Sequence, residues 1–291
     1  MDEGHKGGMK LRSLLFVPGD RPDRFAKAAA SGADAIIIDL EDSVAVNRKI
    51  VAREATAEYL SGDRPIPVFV RVNPQDSHLT HDDLASVLPY MPDGIVLPKA
   101  EGARSVNWLR AEAAAVADSQ DGEAPPILPI ATETPGAVFD LGTLREVAHH
   151  LVGVSWGAED LPAAIGAATA READGRYTAP FEMVRSLTLF AAHAAGVAAI
   201  DTVFPNIKDE AGLAAYVGRA ARDGFSGMLA IHPSQVAAIN AGFTPSAEQL
   251  AHAQSVLDAF AANPAEGVLQ MDGKMIDAPH LKAALSILTR A

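Results

Sequence analysis

At 291 residues the chain has the length of one large α/β domain or two small ones, and 48% hydrophobic but only 5% aromatic content suits alanine-rich helices on aliphatic strands. A formal charge of −13 and a pI near 5.1 argue against nucleic acid or an anionic membrane as the main partner, and the lack of cysteine excludes disulfides, zinc–thiolate sites and thiol nucleophiles. No apolar run approaches the ~20 residues of a membrane span and no secretory n-region, h-region and cleavage site opens the chain, so a cytoplasmic protein is expected.

In chain order, residues 1–10, polar and glycine-rich, read as a disordered leader. Arg12-Ser-Leu-Leu-Phe-Val-Pro-Gly19 is a strand closed by Pro-Gly, and 20–32 a helix with Asp20 as N-cap and Gly32 as stop. The run 34–40 (DAIIIDL) is a buried strand ending in Glu41-Asp42, followed by a helix over about 47–60. A third strand, 65–73, carries Arg71 at its tip; helix 82–88, strand 94–99 and helix 105–117 come next. After a polar linker, 118–126, the fifth strand runs into Glu133, and Thr134-Pro135 supplies an N-cap and first-turn pair for a helix to His149. The sixth strand ends at Asp160. A short helix and polar excursion fill 162–179, with a firm helix over 180–196. Strand 197–203 with helix 209–222 and strand 226–232 complete the series, and helices over 234–241, 247–262 and 279–288 close the chain, the last after a glycine-containing stretch, 267–273.

Eight strand-then-helix units in series is the number that closes a (β/α)8 barrel, here with extra C-terminal helices. An open doubly wound sheet is the alternative, but Pro18-Gly19-Asp20 in the first turn is not the G-x-G-x-x-G such a sheet normally shows. We expect a barrel domain over 11–245 and a helical extension over 246–291.

In a barrel the working face is the C-terminal end of the strands, which gathers Glu41, Arg71, Lys99, Glu133, Asp160 and His232 at one mouth. Singly, Glu41, Asp42 and Lys99 read equally well as helix caps or loop ion pairs, and His232, before Pro233, as structural. Glu133 and Asp160 differ. Each follows a strand too apolar to lie on the surface, and two uncompensated carboxylates in one mouth call for a cation. Oxygen ligands without His or Cys point to Mg2+ or Mn2+. Arg71 on a neighbouring strand then matches the carboxylate of a chelated acid, and the chemistry suggested is C–C bond making or breaking beside the carbonyl of a small oxo or hydroxy acid. Lys10, Arg12, Arg21, Arg24 and Lys27 form a basic run in an acidic chain, either a solvated helix face or a landing patch for the phosphates of an anionic cofactor.

Arg12-Ser-Leu-Leu-Phe-Val-Pro-Gly19, Asp39-Leu-Glu-Asp42, Phe69-Val-Arg-Val-Asn73, Leu97-Pro-Lys99, Glu133-Thr134, Gly157-Ala-Glu-Asp-Leu161, Ala199-Ile-Asp201, Ile231-His-Pro233 and Gly273-Lys-Met-Ile-Asp277 together resemble the citrate lyase β-subunit-like family, within the wider HpcH/HpaI aldolase and citrate lyase group. The resemblance implies a TIM barrel, a homotrimer, Mg2+ and acyl-CoA substrates of the citryl-, citramalyl- or malyl-CoA type. It implies Glu133 and Asp160 as metal ligands, and Arg71 as the contact to the oxo acid. Gly157, Ala158 and Glu159 become substrate-binding, and Glu41 a group beside the metal's waters. Arg12 and Lys27 would lie near the CoA phosphates, and Asp277 would be the acid/base at the acetyl carbon, carried by a segment that a glycine-rich hinge swings into a neighbouring subunit. From the residues alone, Asp277 reads first as the N-cap of the last helix. The region 169–181 does not follow the family pattern and bears on specificity. An acyl carrier protein in place of CoA, a CoA-independent aldolase on pyruvate- or oxaloacetate-type acids, and a non-catalytic barrel subunit stay open as alternatives.

Overall fold

The computed structural model describes residues 9–116 and 124–290, so most of the expected leader, the end of the helix expected over 105–117 and most of the 118–126 linker lie outside the described residues. Contacts divide the chain into two compact units, one up to Asn240 and one from Ala241.

In the first unit eight parallel strands close into a barrel. They are β1 (Ser13–Pro18), β2 (Ala35–Asp39), β3 (Val68–Arg71), β4 (Gly94–Ala100), β5 (Ile127–Ala131), β6 (Gly153–Trp156), β7 (Ala198–Asp201) and β8 (Gly227–Ala230). The seam closes where β1 pairs with β8, Ser13 opposite Met228. Because side chains alternate along a strand, Leu14, Ile37, Phe69, Val96, Leu128, Ile130, Ile200 and Leu229 pack with one another as the barrel interior. Their strand neighbours Leu15, Ile36, Ile38 and Val70 are equally buried, as a sheet covered on both faces requires. That double burial is why these strands read as continuous apolar runs.

The covering helices are α1 (Phe25–Ala29), α2 (Lys49–Ser61), α3 (Thr80–Val87), α4 (Gly102–Val116), α5 (Pro135–Asp140), α6 (Asp160–Ile165), α7 (Ala179–Ala195) and α8 (Glu210–Asp223). A further helix, α9 (Val236–Phe243), follows β8. Several spans differ from the sequence reading: the helix expected over 20–32 with Asp20 as N-cap is a 3-10 turn, Pro22–Arg24, leading into the short α1, and no side chain caps either. The strand expected over 65–73 is only Val68–Arg71, since Pro65 and Pro67 have no N–H to give a ladder. The helix expected from Pro135 to His149 tightens after Asp140 into 3-10 geometry and breaks regular φ/ψ at Val147. Thr143 Oγ1 donates to the Asp140 carbonyl (2.7 Å) and accepts the Ala103 N–H (2.8 Å), a local bonding pattern that competes with the α-helix.

The second unit holds α10 (Ala247–Ala262), a hairpin of β9 (Val268–Met271) and β10 (Lys274–Asp277), and α11 (Ala278–Leu288) around its own small core of Ala253, Val256, Ile276 and Ala284. The glycine-containing stretch expected as a hinge is therefore an ordered hairpin. Asp272-Gly273 is its two-residue turn, at φ +52° and +75°, the geometry that favours Asp-Gly between paired strands.

Candidate active site

The mouth is built on two irregular strand ends. β5 runs into Thr132, fully buried and held at φ +85°, a left-handed conformation that costs a β-branched residue on the order of 1–3 kcal/mol. On the adjacent strand Lys99 has φ +50°, where the β4–β5 register shifts between Leu97 and Ala100. One contact joins the two ends: the Lys99 backbone N–H donates to the Glu133 carboxylate. Glu133 is buried, 4% exposed. Burial is the main force that pushes its carboxyl up to about 8; the negative charges of Asp160 and Glu41 add to it, against the Lys99 N–H and ammonium. Asp160 opens α6.

The residue that follows β6, Gly157, is pressed against this carboxylate. A Cβ added at Gly157 would lie 2.2 Å from Glu133 Cγ and 2.9 Å from its Cδ, so only glycine leaves room for the side chain. Gly157→Ala is accordingly expected to destabilise the fold by about 1–3 kcal/mol and to weaken divalent-cation binding at least tenfold, checked by chemical denaturation and by metal titration; wild-type values for both would show that Glu133 does not need its present position.

Arg71, at the end of β3, is held before any ligand arrives. Its Nε and Nη2 donate to Asp39 Oδ1 and Oδ2, both at 2.7 Å, and its Nη1 lies 2.8 Å from Glu41 Oε2. Phe16 covers one face of the guanidinium, 4.8 Å from ring centroid to Cζ. Asp39 is buried, which alone would raise its pKa, but Arg71 and the N–H groups of Ser43 and Glu41 hold it below the usual carboxylate range. The surrounding carboxylates outweigh desolvation at Arg71 and keep it charged. Glu41 accepts from Lys99 Nζ (2.7 Å), yet burial still raises its pKa, and the geometry toward Arg71 leaves Oε2 in ion-pair contact without a hydrogen bond. Beneath the loop, Lys49 Nζ donates to the carbonyls of Leu40 (2.6 Å) and Glu41 (2.8 Å) and to Asn73 Oδ1 (2.7 Å). Desolvation pulls that ammonium below its usual range.

These groups open on a cavity of about 310 Å³, lined by Arg71, Glu133, Asp160 and also by Gly157, Ala158 and Glu159. The structure thus brings six of the sequence-predicted residues to one wall. Glu41 stands behind that wall, against Arg71 and Lys99. Lys27, with Arg24, lines a second cavity of about 400 Å³ that shares Phe16, Pro18 and Ile231 with the first. Arg12 is a correction. It precedes β1, at the strand end opposite the mouth, and its guanidinium is paired to Asp34 at 2.7 Å, so it is not placed to meet a ligand at the mouth. Asp277 lies in the second unit, at the N-cap position of α11, its carboxylate 2.6 Å from His280 Nδ1. His232 caps a short 3-10 turn by accepting the Ser234 N–H at 3.2 Å.

The sequence reading missed Asp39 and Lys49 as builders of the site. Asp39 carried a usable signal, as the one charged residue of an otherwise apolar strand, at the tip that serves the mouth. Lys49 carried none, because a lysine at the start of a helix looks solvated.

The wall fits a hard divalent cation. One carboxyl is buried enough to be driven toward neutrality, a second stands close enough to act on it, and a cation relieves both. Among the described residues no group of three or more His, Cys, Asp and Glu encloses an ion. Two carboxylates completed by water and ligand oxygens is the usual arrangement for magnesium.

Comparison with known proteins agrees. The family model "HpcH/HpaI aldolase/citrate lyase" matches residues 12–233. A citrate lyase subunit beta-like protein of Mycobacterium tuberculosis is 38% identical over 288 residues, covering 97% of this chain and 98% of that one. The human mitochondrial citramalyl-CoA lyase is 31% identical, over 99% of this chain and 87% of its own. The crystal structure of M. tuberculosis CitE in complex with magnesium, acetoacetate and coenzyme A superposes with a TM-score of 0.79 at 36% identity, covering 96% and 97% of the two chains. The chain belongs to the HpcH/HpaI aldolase/citrate lyase family.

Proposed function

We infer that the protein is a Mg2+-dependent carbon–carbon lyase that cleaves a 3-hydroxyacyl-CoA of the citryl-, citramalyl- or malyl-CoA type to acetyl-CoA and a 2-oxo acid, by a reversible Claisen-type step. The observation that carries this reading is the buried Glu133 carboxyl beside Asp160, facing the same cavity as a guanidinium already clamped by Asp39. The magnesium, acetoacetate and coenzyme A bound by the related CitE are the ligand classes such a wall and the adjoining Arg24–Lys27 cavity would receive.

Glu133 and Asp160 would hold the Mg2+, which supplies Lewis-acid polarisation of the acid's oxygens when bound. Arg71 binds and orients the acid's carboxylate. Its fork is fixed by Asp39, so little ordering is left for the ligand to impose. As the 3-hydroxyl proton passes to water the C–C bond breaks, its electron pair leaving on the thioester fragment as an enolate, and Asp277, protonated at the start, gives its proton to the acetyl carbon; in reverse, Asp277 removes that methyl proton. Asp277 serves the site from a neighbouring copy of the chain in a homotrimer. Arg24 and Lys27 meet the phosphates of CoA, or of an acyl carrier protein bearing the same phosphopantetheine arm.

Purified protein with Mg2+ should cleave at least one of citryl-, citramalyl- and malyl-CoA. Asp277→Asn should lower turnover by about 10²–10⁴ while leaving magnesium affinity unchanged. Magnesium binding without cleavage of any thioester would reject the lyase reading, and turnover of free oxo acids alone would replace it with a CoA-independent aldolase.

A further inference from the structure

The outer layer of the barrel is tied to the mouth by a chain of polar groups that runs from α3 to the turn after β2. α2 carries Lys49 and Arg53 four residues apart and so on one side of the helix, the side on which it is buried. Asp83, fully buried on α3, accepts from Arg53 Nε through Oδ1 at 2.7 Å. Its Oδ2 accepts both the backbone N–H and the side-chain amide of the buried Asn73, each at 2.7 Å. That amide also donates to the Leu40 carbonyl (3.0 Å), and its oxygen accepts from Lys49 Nζ (2.7 Å). With the Leu40 and Glu41 carbonyls as its other acceptors, the Lys49 ammonium has no N–H left over. Thr80 Oγ1, at the start of α3, fastens the same place by donating to the Asn73 carbonyl at 2.9 Å.

Packing alone does not call for these groups. Apolar side chains of similar volume would hold α2 and α3 on the strands as well or better, because desolvation offsets most of what a buried ion pair contributes. Burial pushes the Asp83 carboxyl up and the Lys49 ammonium down in spite of their partners. What the chain does hold is the turn over residues 39–43. Three of its bonds end on the Leu40 and Glu41 carbonyls. The same turn points the Glu41 and Ser43 N–H groups at Asp39, and its Leu40 N–H donates to the Arg71 carbonyl. Asp39 and Glu41 are the carboxylates that fix the Arg71 guanidinium. The aim of that guanidinium therefore depends on Lys49 and Asp83, which stand outside the residues that line the mouth cavity.

We propose that Asp83 and Lys49 are positioning residues for the acid: through Asn73 they hold the 39–43 turn so that Asp39 keeps Arg71 aimed into the cavity, and loosening either one weakens acid binding while sparing the metal wall. None of the bonds in the chain ends on Glu133 or Asp160, which follow β5 and β6 on the other side of β4. A fork that must be re-ordered by its ligand binds it less tightly than one already fixed.

The choice of ligand rests on the lyase reading above, and two measurements separate their fates. Asp83→Asn keeps the shape and removes the charge, while Lys49→Met keeps the length and removes three donors. In full-length protein the Arg71 Nε–H resonance, assigned by its loss in Arg71→Lys, reports the clamp with no ligand present. Calorimetry gives the affinity for Mg2+ and then, with Mg2+ bound, for pyruvate as a small 2-oxo acid. In both variants the Nε–H should exchange with water about tenfold faster or more, pyruvate should bind about tenfold more weakly or worse, and Mg2+ affinity should stay within about threefold of wild type. Wild-type exchange in folded Asp83→Asn would overturn the inference, as would equal losses for Mg2+ and pyruvate, the mark of a general loosening. If Lys49→Met does not fold, Asp83→Asn decides alone. If the wild type neither binds pyruvate nor cleaves a thioester, the lyase reading fails while the Arg71 exchange still decides this one.

Discussion

Glu133→Gln is expected to abolish divalent-cation binding and catalysis and yet to make the metal-free protein more heat-resistant at pH 8. The buried carboxyl is pushed up to about 8, against an ordinary value of 4.5. Between those two pH values the folded chain keeps a proton that the unfolded chain releases. The contribution is fully present below about pH 4.5 and is lost as pH rises through about 8, so metal-free stability should fall across that window. That displacement corresponds to a ceiling of about 5 kcal/mol, before any relaxation around the charge. Glutamine carries no proton to lose and should flatten the profile. Magnesium at 100 times its Kd should return about 2.7 kcal/mol to the wild type at pH 8 and nothing to the variant. Thermal unfolding from pH 5 to 8.5, with chelator and with Mg2+, reads all of this. A flat wild-type profile, or the same slope in the variant, would show that Glu133 is not the strained group.

The second large effect concerns the clamp on Arg71. Asp39 is 1% exposed and bonded to Arg71 through two 2.7 Å contacts. Removing either partner strands a buried charge, so Asp39→Ala and Arg71→Ala should each cost about 3–5 kcal/mol. The double variant should cost less than the two singles together, by about 2 kcal/mol or more. All three should lose activity, whereas Arg71→Lys should fold and lose at least about 100-fold in kcat/KM, because a lysine keeps the charge but not the fork. Denaturant unfolding of the full cycle with kinetics on the lysine variant tests this. Additive losses would mean that the two residues act independently, and an active lysine variant would remove the bidentate geometry from the argument.

The barrel was legible because β2 and β5 are runs of five buried residues, apolar but for Asp39, that no surface strand would tolerate, each ending at or near a charge and followed by a helix signal. Thr134 shows how local that signal is: its Oγ1 accepts the Ala137 N–H at the start of α5, as a cap read from sequence should. That Glu133, Asp160 and Arg71 reach one cavity was legible for the same reason, because position at a strand tip fixes which end of the barrel a residue serves. Arg12 failed by the same logic. It precedes its strand and belongs to the far end, whatever its neighbours suggest. The clamp of Asp39 on Arg71 needs the pairing of β2 with β3, in which the two residues stand side by side, and no single segment contains it. Nor does any motif announce that Gly157 is spaced by a glutamate 24 residues earlier. Asp272-Gly273 did carry a hairpin signal, overlooked because the flanking residues alternate too weakly to suggest strands.

The packed interior formed by Leu14, Ile37, Phe69, Val96 and Leu128 stops the barrel like a cork. Cleavage makes two molecules in a chamber entered from the strand tips. On the lyase reading, fragments that share one doorway would depart in sequence, and a bulky thioester held nearer the exit would clear it before the acid could follow. Product inhibition should then be competitive for the acid and mixed for the thioester in a way that reports which of them shuts the door.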